Sequence, residues 1–290
     1  MDICRVGMEK NCNFISVPGK VRDRPEIGMK KCIDCGVKIH DSNIQETVSY
    51  ETGTMWSHPP ELLELKTAQK LREDNRRALA IQEICIEYGL EQILDFGCGR
   101  GDLIELLKPK FQVSGFEIEQ SAISILQERE IQSFSTVSEL IDSKRKFDIV
   151  LAIHVLEHLQ DPRYLFELID KKLKIGGFLV IETPNANDAL LDLYQCKAFQ
   201  EFTYWSHHPT LHTNESVSRI LMKAGYEVKI NTGIQRYSLR NHLYWLSTGL
   251  PGGQEQEELG KFKCLEAEYE QILVHGQISD TLWVVAKKLK

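Results

Sequence analysis

The run Ile93-Leu94-Asp95-Phe96-Gly97-Cys98-Gly99-Arg100-Gly101-Asp102 constrains this chain more than any other segment. It opens as a short apolar strand over Gln92 to Phe96, breaks into alternate glycines, and restarts with helical periodicity from Asp102 to Leu107. Glycines there remove side chains where a ligand must approach the backbone, and the helix start offers unpaired N–H groups to it. Strand, glycine loop and helix in that order predict an α/β fold carrying a nucleotide-type ligand at the strand end. The spacing narrows the ligand. A dinucleotide fold wants G-x-G-x-x-G, whereas this loop reads G-x-G-x-G after an Asp, which disfavours a hydride-transferring oxidoreductase.

Phe111 to Glu117 reads as a second strand ending in an acid, with a helix from Gln120 to Glu130 behind it. A carboxylate there can accept two hydrogen bonds from vicinal ribose hydroxyls, or it can complement the helix dipole. Lys146 to Pro162 is a third buried strand running into a loop, and Lys174 to Asn185 a glycine turn with a further strand. In order and spacing these four segments resemble the motifs of class I S-adenosylmethionine (SAM) dependent methyltransferases. The resemblance implies a Rossmann-like α/β domain over residues 91–290, with a seven-stranded sheet whose last strand is antiparallel. It implies SAM as cofactor, with Asp95, Phe96, Gly97, Cys98, Gly99 and Gly101 around it, Glu117 and Ile118 at its ribose, and His154 at the fourth strand end.

Ahead of that domain, residues 1–48 are expected to form a Cys-rich, zinc-ribbon-like module and 49–90 a helical linker or lid. Cys4, Cys12, Cys32 and Cys35 fall in a stretch too rich in Gly, Pro and Lys to bury much core. Cys32-Ile33-Asp34-Cys35-Gly36 has the form of a zinc knuckle, two thiolates reaching one tetrahedral ion across a tight turn. A second knuckle is incomplete, because Cys4 is followed by Gly7 at the ligand position; Cys12, or less readily His40, completes the set. A ribbon without metal and a redox pair stay open. Such a module before the catalytic domain resembles bacterial sugar methyltransferases, including those that C-methylate nucleotide-linked deoxysugars. In the linker, Pro59-Pro60 introduces a helix from Glu61 to about Tyr88 with an apolar stripe of Leu62, Leu65, Leu71, Ala78, Ile81, Ile84 and Cys85. Arg72, Arg76 and Arg77, interleaved with Glu73 and Asp74, read as its solvated face. Tyr50, Met55 and Trp56 could close over a substrate or simply dock the two parts.

Asn185 to His212 is a long loop or loop-helix insertion rich in aromatics and histidines, the kind of segment that carries function. His208-Pro209-Thr210-Leu211-His212-Thr213 resembles the segment that holds the catalytic His of sugar C-methyltransferases, which makes His208 the expected base and His207 the second choice. His154, Glu157 and His158 resemble the E-x-x-E-H metal set of ubiquinone-pathway O-methyltransferases and small-RNA 3′-end methyltransferases, with His154 in place of the first Glu and His208 as a fourth ligand. That makes metal-assisted O-methylation the alternative, with Zn2+ or another borderline ion. Further on, Gln235 to Leu246 sets polar groups beside aromatics, a mixture that binds sugars or covers a sheet edge.

A net charge of −7 argues against general attraction to nucleic acid or an anionic membrane. No run of eighteen apolar residues occurs, and the first twenty residues lack a signal-peptide core, so no membrane insertion and a soluble cytoplasmic location are expected. Cys85, Cys98, Cys196 and Cys264 fit small buried hydrophobes in a reducing compartment. The expected function is methyl transfer, at O or C, to a small polar acceptor: a sugar or nucleotide-linked sugar of the kind used in surface-polysaccharide synthesis. A non-catalytic SAM-binding or partner-binding module is the third reading.

Overall fold

The computed structural model describes residues 12–41 and 63–290, and within the latter the side chains from residue 69 onward. The elements begin with β1 (Phe14–Val21), β2 (Arg24–Cys32) and β3 (Lys38–His40), followed by the long helix α1 (Leu63–Tyr88). Then come β4 (Gln92–Phe96), α2 (Asp102–Leu107), β5 (Gln112–Phe116), α3 (Gln120–Glu128), β6 (Ser133–Phe134), α4 (Val137–Asp142), β7 (Phe147–Ile153), α5 (Arg163–Lys172) and β8 (Leu173–Pro184). The remainder is α6 (Lys197–Thr203), β9 (Thr210–Leu211), α7 (Asn214–Lys223), β10 (Tyr226–Ile234), α8 (Leu239–Thr248), α9 (Glu266–His275) and β11 (Thr281–Lys288).

Seven strands form one mixed sheet in the order β10-β11-β8-β7-β4-β5-β6, with its last strands antiparallel, as expected of this α/β class. At its centre β4 runs parallel to β5 and β7, with Leu94 facing Ser114 on one side and Val150 on the other. Ile149, Val150, Leu151 and Ala152 are all fully buried, which is why β7 reads as an unbroken apolar run rather than an alternating one. The glycine turn expected before the fifth strand lies inside β8. A Cβ on Gly177 would come within 2.8 Å of the Asp148 carbonyl oxygen, so only glycine allows the neighbouring strand so close.

By compactness the chain divides into two units, one of residues 1–46, 154–164 and 181–286, the other of 47–153, 165–180 and 287–290. In the first, β1, β2 and β3 join β9 in a four-stranded sheet, Lys38 pairing with Leu211 and Ile39 with Thr210. The N-terminal segment thus differs from a ribbon that buries little. Val21, Ile27 and Met29 enter one core with Leu190, Phe199, Tyr204 and Trp245, because the hairpin turns a single apolar face inward.

In the second unit α1 buries Ala78, Ile81, Ile84 and Cys85, as its stripe predicts, while Leu71 is exposed. Its charged face departs from expectation: Glu73, Asp74 and Arg77 are buried rather than solvated. Neutralisation makes this affordable, since Arg77 donates to Asp74 at 2.9 Å and Arg76 to Glu73 at 3.0 Å, one helical turn apart. Among the described residues no helix is long and apolar enough to cross a membrane.

Candidate active site

The glycine loop after β4 is held open from both sides. Gly97 and Cys98 donate their N–H groups to the Phe116 carbonyl at 2.8 and 3.1 Å, and Gly101 donates to the Cys98 carbonyl at 3.0 Å. Gly97, Gly99 and Gly101 all have left-handed φ, and a Cβ on Gly101 would strike Ile131 and Leu126 at 2.6 and 2.8 Å. The side chains of two expected cofactor residues turn away from the loop. Phe96 packs on Phe116 in the core, and Cys98 lies over Gly115 and joins Ile104, Leu126 and Ile131, so each can serve a ligand only through its backbone. Ile118 is half-exposed.

Asp95, next to last in β4, is 3% exposed, and its carboxylate makes no hydrogen bond among the described residues. Burial pushes its pKa up to about 7; Arg77 and Lys70 on α1 pull down, while Asp74 and Glu117 push up. Glu117 accepts from the N–H groups of Gly99, Ile118 and Glu119 at 2.8, 2.8 and 2.9 Å. A carboxylate has roughly four lone-pair sites, so Glu117 keeps about one for a ribose hydroxyl rather than two. The helix-capping role open to it from sequence belongs to Glu119, which accepts from the Ser121 and Ala122 N–H groups at the start of α3. Lys70, Asp74 and Arg77 are absent from the expected site residues. Lys70 bridges Asp74 at 2.7 Å and Asp102 at 2.5 Å, tying α1 to the start of the helix that follows the loop. A buried carboxylate with no hydrogen bond among the described residues, beside a glycine-rich loop, fits a ligand that carries an ammonium group and an extended backbone-bound body.

The other unit carries a second constellation. His154 sits at φ +54°, a conformation disfavoured for a side-chain-bearing residue, and its N–H donates to the Glu182 carbonyl at 2.7 Å. Its Nδ1 meets Glu157 at 2.8 Å, while Nε2 faces Arg236 at 3.2 Å and Glu182 at 3.4 Å. Either protonation state is therefore satisfied. A cationic ring donates to both carboxylates; a neutral one donates to Glu157 and accepts from Arg236. Burial lowers the pKa of His154, but Glu157 and Glu182 outweigh it and the net direction is up. Arg236 is held in turn by Asp280, whose other oxygen accepts from the N–H groups of Arg236 and Tyr237.

Glu157 is 1% exposed and accepts from Thr183 Oγ1 at 2.9 Å as well as from His154. Burial pushes its carboxyl up, but the bond and charge of His154, with His158 and His208, hold it well below the usual carboxylate range. His158 directs Nδ1 to the His207 carbonyl at 2.8 Å, and its ring lies edge-on to that of His208 at 4.8 Å. One ligand atom each from Glu157, His158 and His208 lies within 4.8 Å of the others. Burial pushes His208 down to about 3, with His158 adding to the fall. At that value the ring is neutral, a hydrogen-bond acceptor or ligand, and a weaker proton acceptor than a free imidazole. His207 stacks on Trp205 at 4.2 Å.

The expected zinc set is only partly brought together. Cys12 and Cys32 lie with Asp34, their ligand atoms within 4.8 Å of one another. Cys35 is buried outside this group, its carbonyl accepting from Thr213 Oγ1 at 2.6 Å, and Cys4 lies outside the described residues. His40 Nε2 faces the Trp205 carbonyl at 3.2 Å rather than the cysteines. Tyr50, Met55 and Trp56 also lie outside the described residues.

An α/β sheet with parallel central strands, acids at two strand ends and a glycine loop between them defines the class that binds a nucleotide-type cofactor at the strand carboxyl ends. Residues 56–229, more than half of the chain, match the methyltransferase domain family, and the chain belongs to that family. Over 103 residues it is 36% identical to the ubiquinone biosynthesis O-methyltransferase of Bradyrhizobium diazoefficiens, a stretch covering 33% of this chain and 41% of that protein. Over 110 residues it is 34% identical to the ubiquinone biosynthesis O-methyltransferase of Alkalilimnicola ehrlichii, covering 34% of this chain and 44% of that protein. The chain thus spans less than half the length of these two relatives. Among solved structures, the plantazolicin methyltransferase BpumL in complex with SAH shares the fold, with a TM-score of 0.50 at 16% identity over 83% of this chain and 95% of that one.

Proposed function

We propose that this chain transfers the methyl group of SAM to a hydroxyl oxygen of a small polar acceptor. The observation that carries the reading is Asp95, a buried carboxylate with no hydrogen bond among the described residues, two positions before the first of three left-handed glycines. Asp95 would pair with the cofactor's ammonium group, Glu117 would take a ribose hydroxyl, and the loop backbone would line its body. Bound SAM supplies a methyl group already activated on a sulfonium, so the protein has only to align the acceptor and remove its proton. The residues whose chemistry suits the acceptor are His158, which donates through Nδ1 to the His207 carbonyl, and His208, a neutral ring beside ionised Glu157. Two imidazoles and an anion suit the orientation of a hydroxyl. That donor set and the relatives' names support methyl transfer to oxygen over carbon.

The sugar class rests on the resemblance and on the polar and aromatic groups of residues 235–246, whereas the two relatives above are named for ubiquinone biosynthesis. The test takes both as arms. Calorimetry with SAM and S-adenosylhomocysteine, with NADH as control, should show binding of the two adenosyl ligands only. Isotopically labelled SAM should then label hydroxylated sugars, nucleotide-linked sugars or phenols. Absence of adenosyl binding would end the reading.

A second reading is metal assistance at Glu157, His158 and His208. The set fits a borderline divalent ion, and His158 shows the arrangement of a ligand ring, its other N–H fixed by a carbonyl. A bound ion would acidify the acceptor hydroxyl. Activity abolished by chelation and restored by Zn2+ or Mn2+ would select this reading over the metal-free one.

In the N-terminal segment we propose a structural zinc on Cys12, Cys32 and Asp34. Metal analysis should find about one zinc per chain. It should be lost in Cys12→Ser and Cys32→Ser but kept in Cys35→Ser; equal loss in all three would restore Cys35 to the ligand set.

A further inference from the structure

Asp102 is the first residue of α2 and follows the last glycine of the loop. An Asp in the first turn of a helix ordinarily complements the unpaired N–H groups there, but this carboxylate is spent on two other helices. Its Oδ2 accepts from Lys70 Nζ on α1 at 2.5 Å, and its Oδ1 from Nη1 of Arg129, the C-terminal cap of α3, at 2.6 Å. Arg129 Nη1 also donates to the Arg100 carbonyl at 2.9 Å. One nitrogen, through its two protons, thus holds the chain on either side of Gly101. Packing bounds the loop as well, since a Cβ on Gly101 would strike Ile131 and Leu126. On α1, Lys70 bonds Asp74 at 2.7 Å and Asp74 accepts from Arg77 at 2.9 Å, so that arm of the clamp is anchored by three charged side chains. The side chains of Lys70, Asp102 and Arg129 are each a third to a half exposed, and ion pairs of that kind contribute little to folding stability. What they fix is the course of the loop.

We propose that Asp102 is a positioning residue for the cofactor: joined to Lys70 and Arg129, it locks the glycine loop in the shape that receives the adenosyl ligand, acting through the loop backbone rather than through a contact of its own. The inference rests on the cofactor assignment above. A loop ordered before the ligand arrives spares the binding step the cost of ordering it, so the clamp sets affinity rather than the chemistry of transfer. Burial pushes the Asp102 carboxyl up, but the bonds and charges of Lys70 and Arg129 outweigh it and hold it below the usual carboxylate range, so the clamp is ionised at neutral pH. Lys70 has a second influence, because it opposes the upward shift of Asp95. The charges that bear most on Asp95 are Arg77, Asp74, Glu117 and Lys70, and Arg129 is not one of them. The two arms of the clamp therefore separate a hold on the loop from a charge effect on Asp95.

Amide hydrogen exchange on the ligand-free, full-length protein reads the loop without any cofactor. In Asp102→Asn the Gly101 N–H, bonded to the Cys98 carbonyl, should exchange ~10-fold faster, while the Gly97 and Cys98 N–H groups on the Phe116 carbonyl keep their wild-type rates. Calorimetry with S-adenosylhomocysteine, which lacks the sulfonium charge, should show affinity reduced by ~10-fold in Asp102→Asn, in Lys70→Met and in Arg129→Met, with no further loss when either cation is replaced in the Asp102→Asn background. Lys70→Arg, which keeps the charge, should retain affinity to within about threefold, and Tm should stay within about 2 °C of the wild type in every variant. Wild-type exchange and affinity in Asp102→Asn would overturn the inference. A loss confined to Lys70→Met would assign the effect to the charge on Asp95, and a Tm that falls in step with affinity would reduce Asp102 to a structural tie; either result overturns it as well. A wild type that binds no adenosyl ligand, while Gly101 exchange still responds to Asp102→Asn, would instead overturn the cofactor reading and leave the hold on the loop standing.

Discussion

Asp95→Asn is expected to stabilise the ligand-free protein at pH 8 by about 2–4 kcal/mol while removing most of its affinity for SAM. The Asp95 pKa stands at about 7 in the folded state against an ordinary 3.8, so folding favours the protonated carboxyl. Its contribution to stability is fully present below the unfolded value and is lost as pH rises through the folded one. A tenfold change in proton affinity corresponds to about 1.4 kcal/mol, which bounds the cost of the buried anion at about 4 kcal/mol above pH 7. Asparagine fills the same space without a charge and escapes that cost. Its advantage should therefore shrink to about 1–2 kcal/mol at pH 5 and vanish near pH 4. Bound SAM reverses the balance, because its ammonium group gives the carboxylate a partner. Loss of that charge-assisted bond should weaken binding by about 1.5–3 kcal/mol, and SAM binding to the wild type should release a proton near pH 6–7. Urea unfolding at pH 5 and 8, with calorimetry at pH 8, reads both sides. Equal stability of wild type and variant at both pH values would show that the buried charge is compensated by something other than a ligand. A substitution that stabilises the protein and disables binding marks a position kept for function.

The sheet and its cofactor loop are legible in the sequence because they are written in local chemistry. An apolar run, glycines in left-handed turns and an acid at a strand end need no distant partner to be recognised. The capped helix α7 is legible for the same reason, Thr213 and Ser216 forming a reciprocal box over four residues. What escapes depends on pairs far apart in sequence. Lys70 and Asp102 are thirty-two positions apart, and Asp23 and Ser206 one hundred and eighty-three. The charged stripe of α1 looks solvated because its i,i+3 pairing is equally compatible with exposure and with burial; only the tertiary position decides. The cysteines of the N-terminal segment suggest a metal-stapled ribbon, yet its hairpin closes a sheet with β9, and no local feature of Lys38-Ile39-His40 points to Thr210 and Leu211. His208 stands out by its neighbours in sequence, but burial and His158 decide its basicity, and neither is visible in a string of residues.

The largest loss of activity is expected from Glu157→Gln. The amide keeps the shape of the carboxylate and can still accept from His154 while facing Thr183, so what the substitution removes is the charge. Breaking a buried pair is costly, and here the cationic form of His154, at φ +54° with Arg236 on its far nitrogen, keeps only Glu182 as an anionic partner, at a cost of about 3 kcal/mol. The pH dependence has two edges. Glu157 is held below its ordinary 4.5, so its share is present above that value and is lost as pH falls through the folded one. His154 is raised above its ordinary 6.5, so its share is present below that value and is lost as pH rises through the folded one. The variant should therefore lose most Tm between roughly pH 4.5 and 6.5 and less at pH 8.5. Turnover should fall by about 100-fold or more at every pH, because the two imidazoles that orient the acceptor lose the anion between them. The affinity for S-adenosylhomocysteine should hold, since Asp95, Glu117 and the glycine loop keep their own charges and hydrogen bonds in the variant. Thermal melts at pH 6 and 8.5, single-turnover methylation and calorimetry separate these effects. If turnover survives while the Tm falls at pH 6, Glu157 is a buried strut for the left-handed turn after β7, and acceptor activation has to be sought at His207 alone.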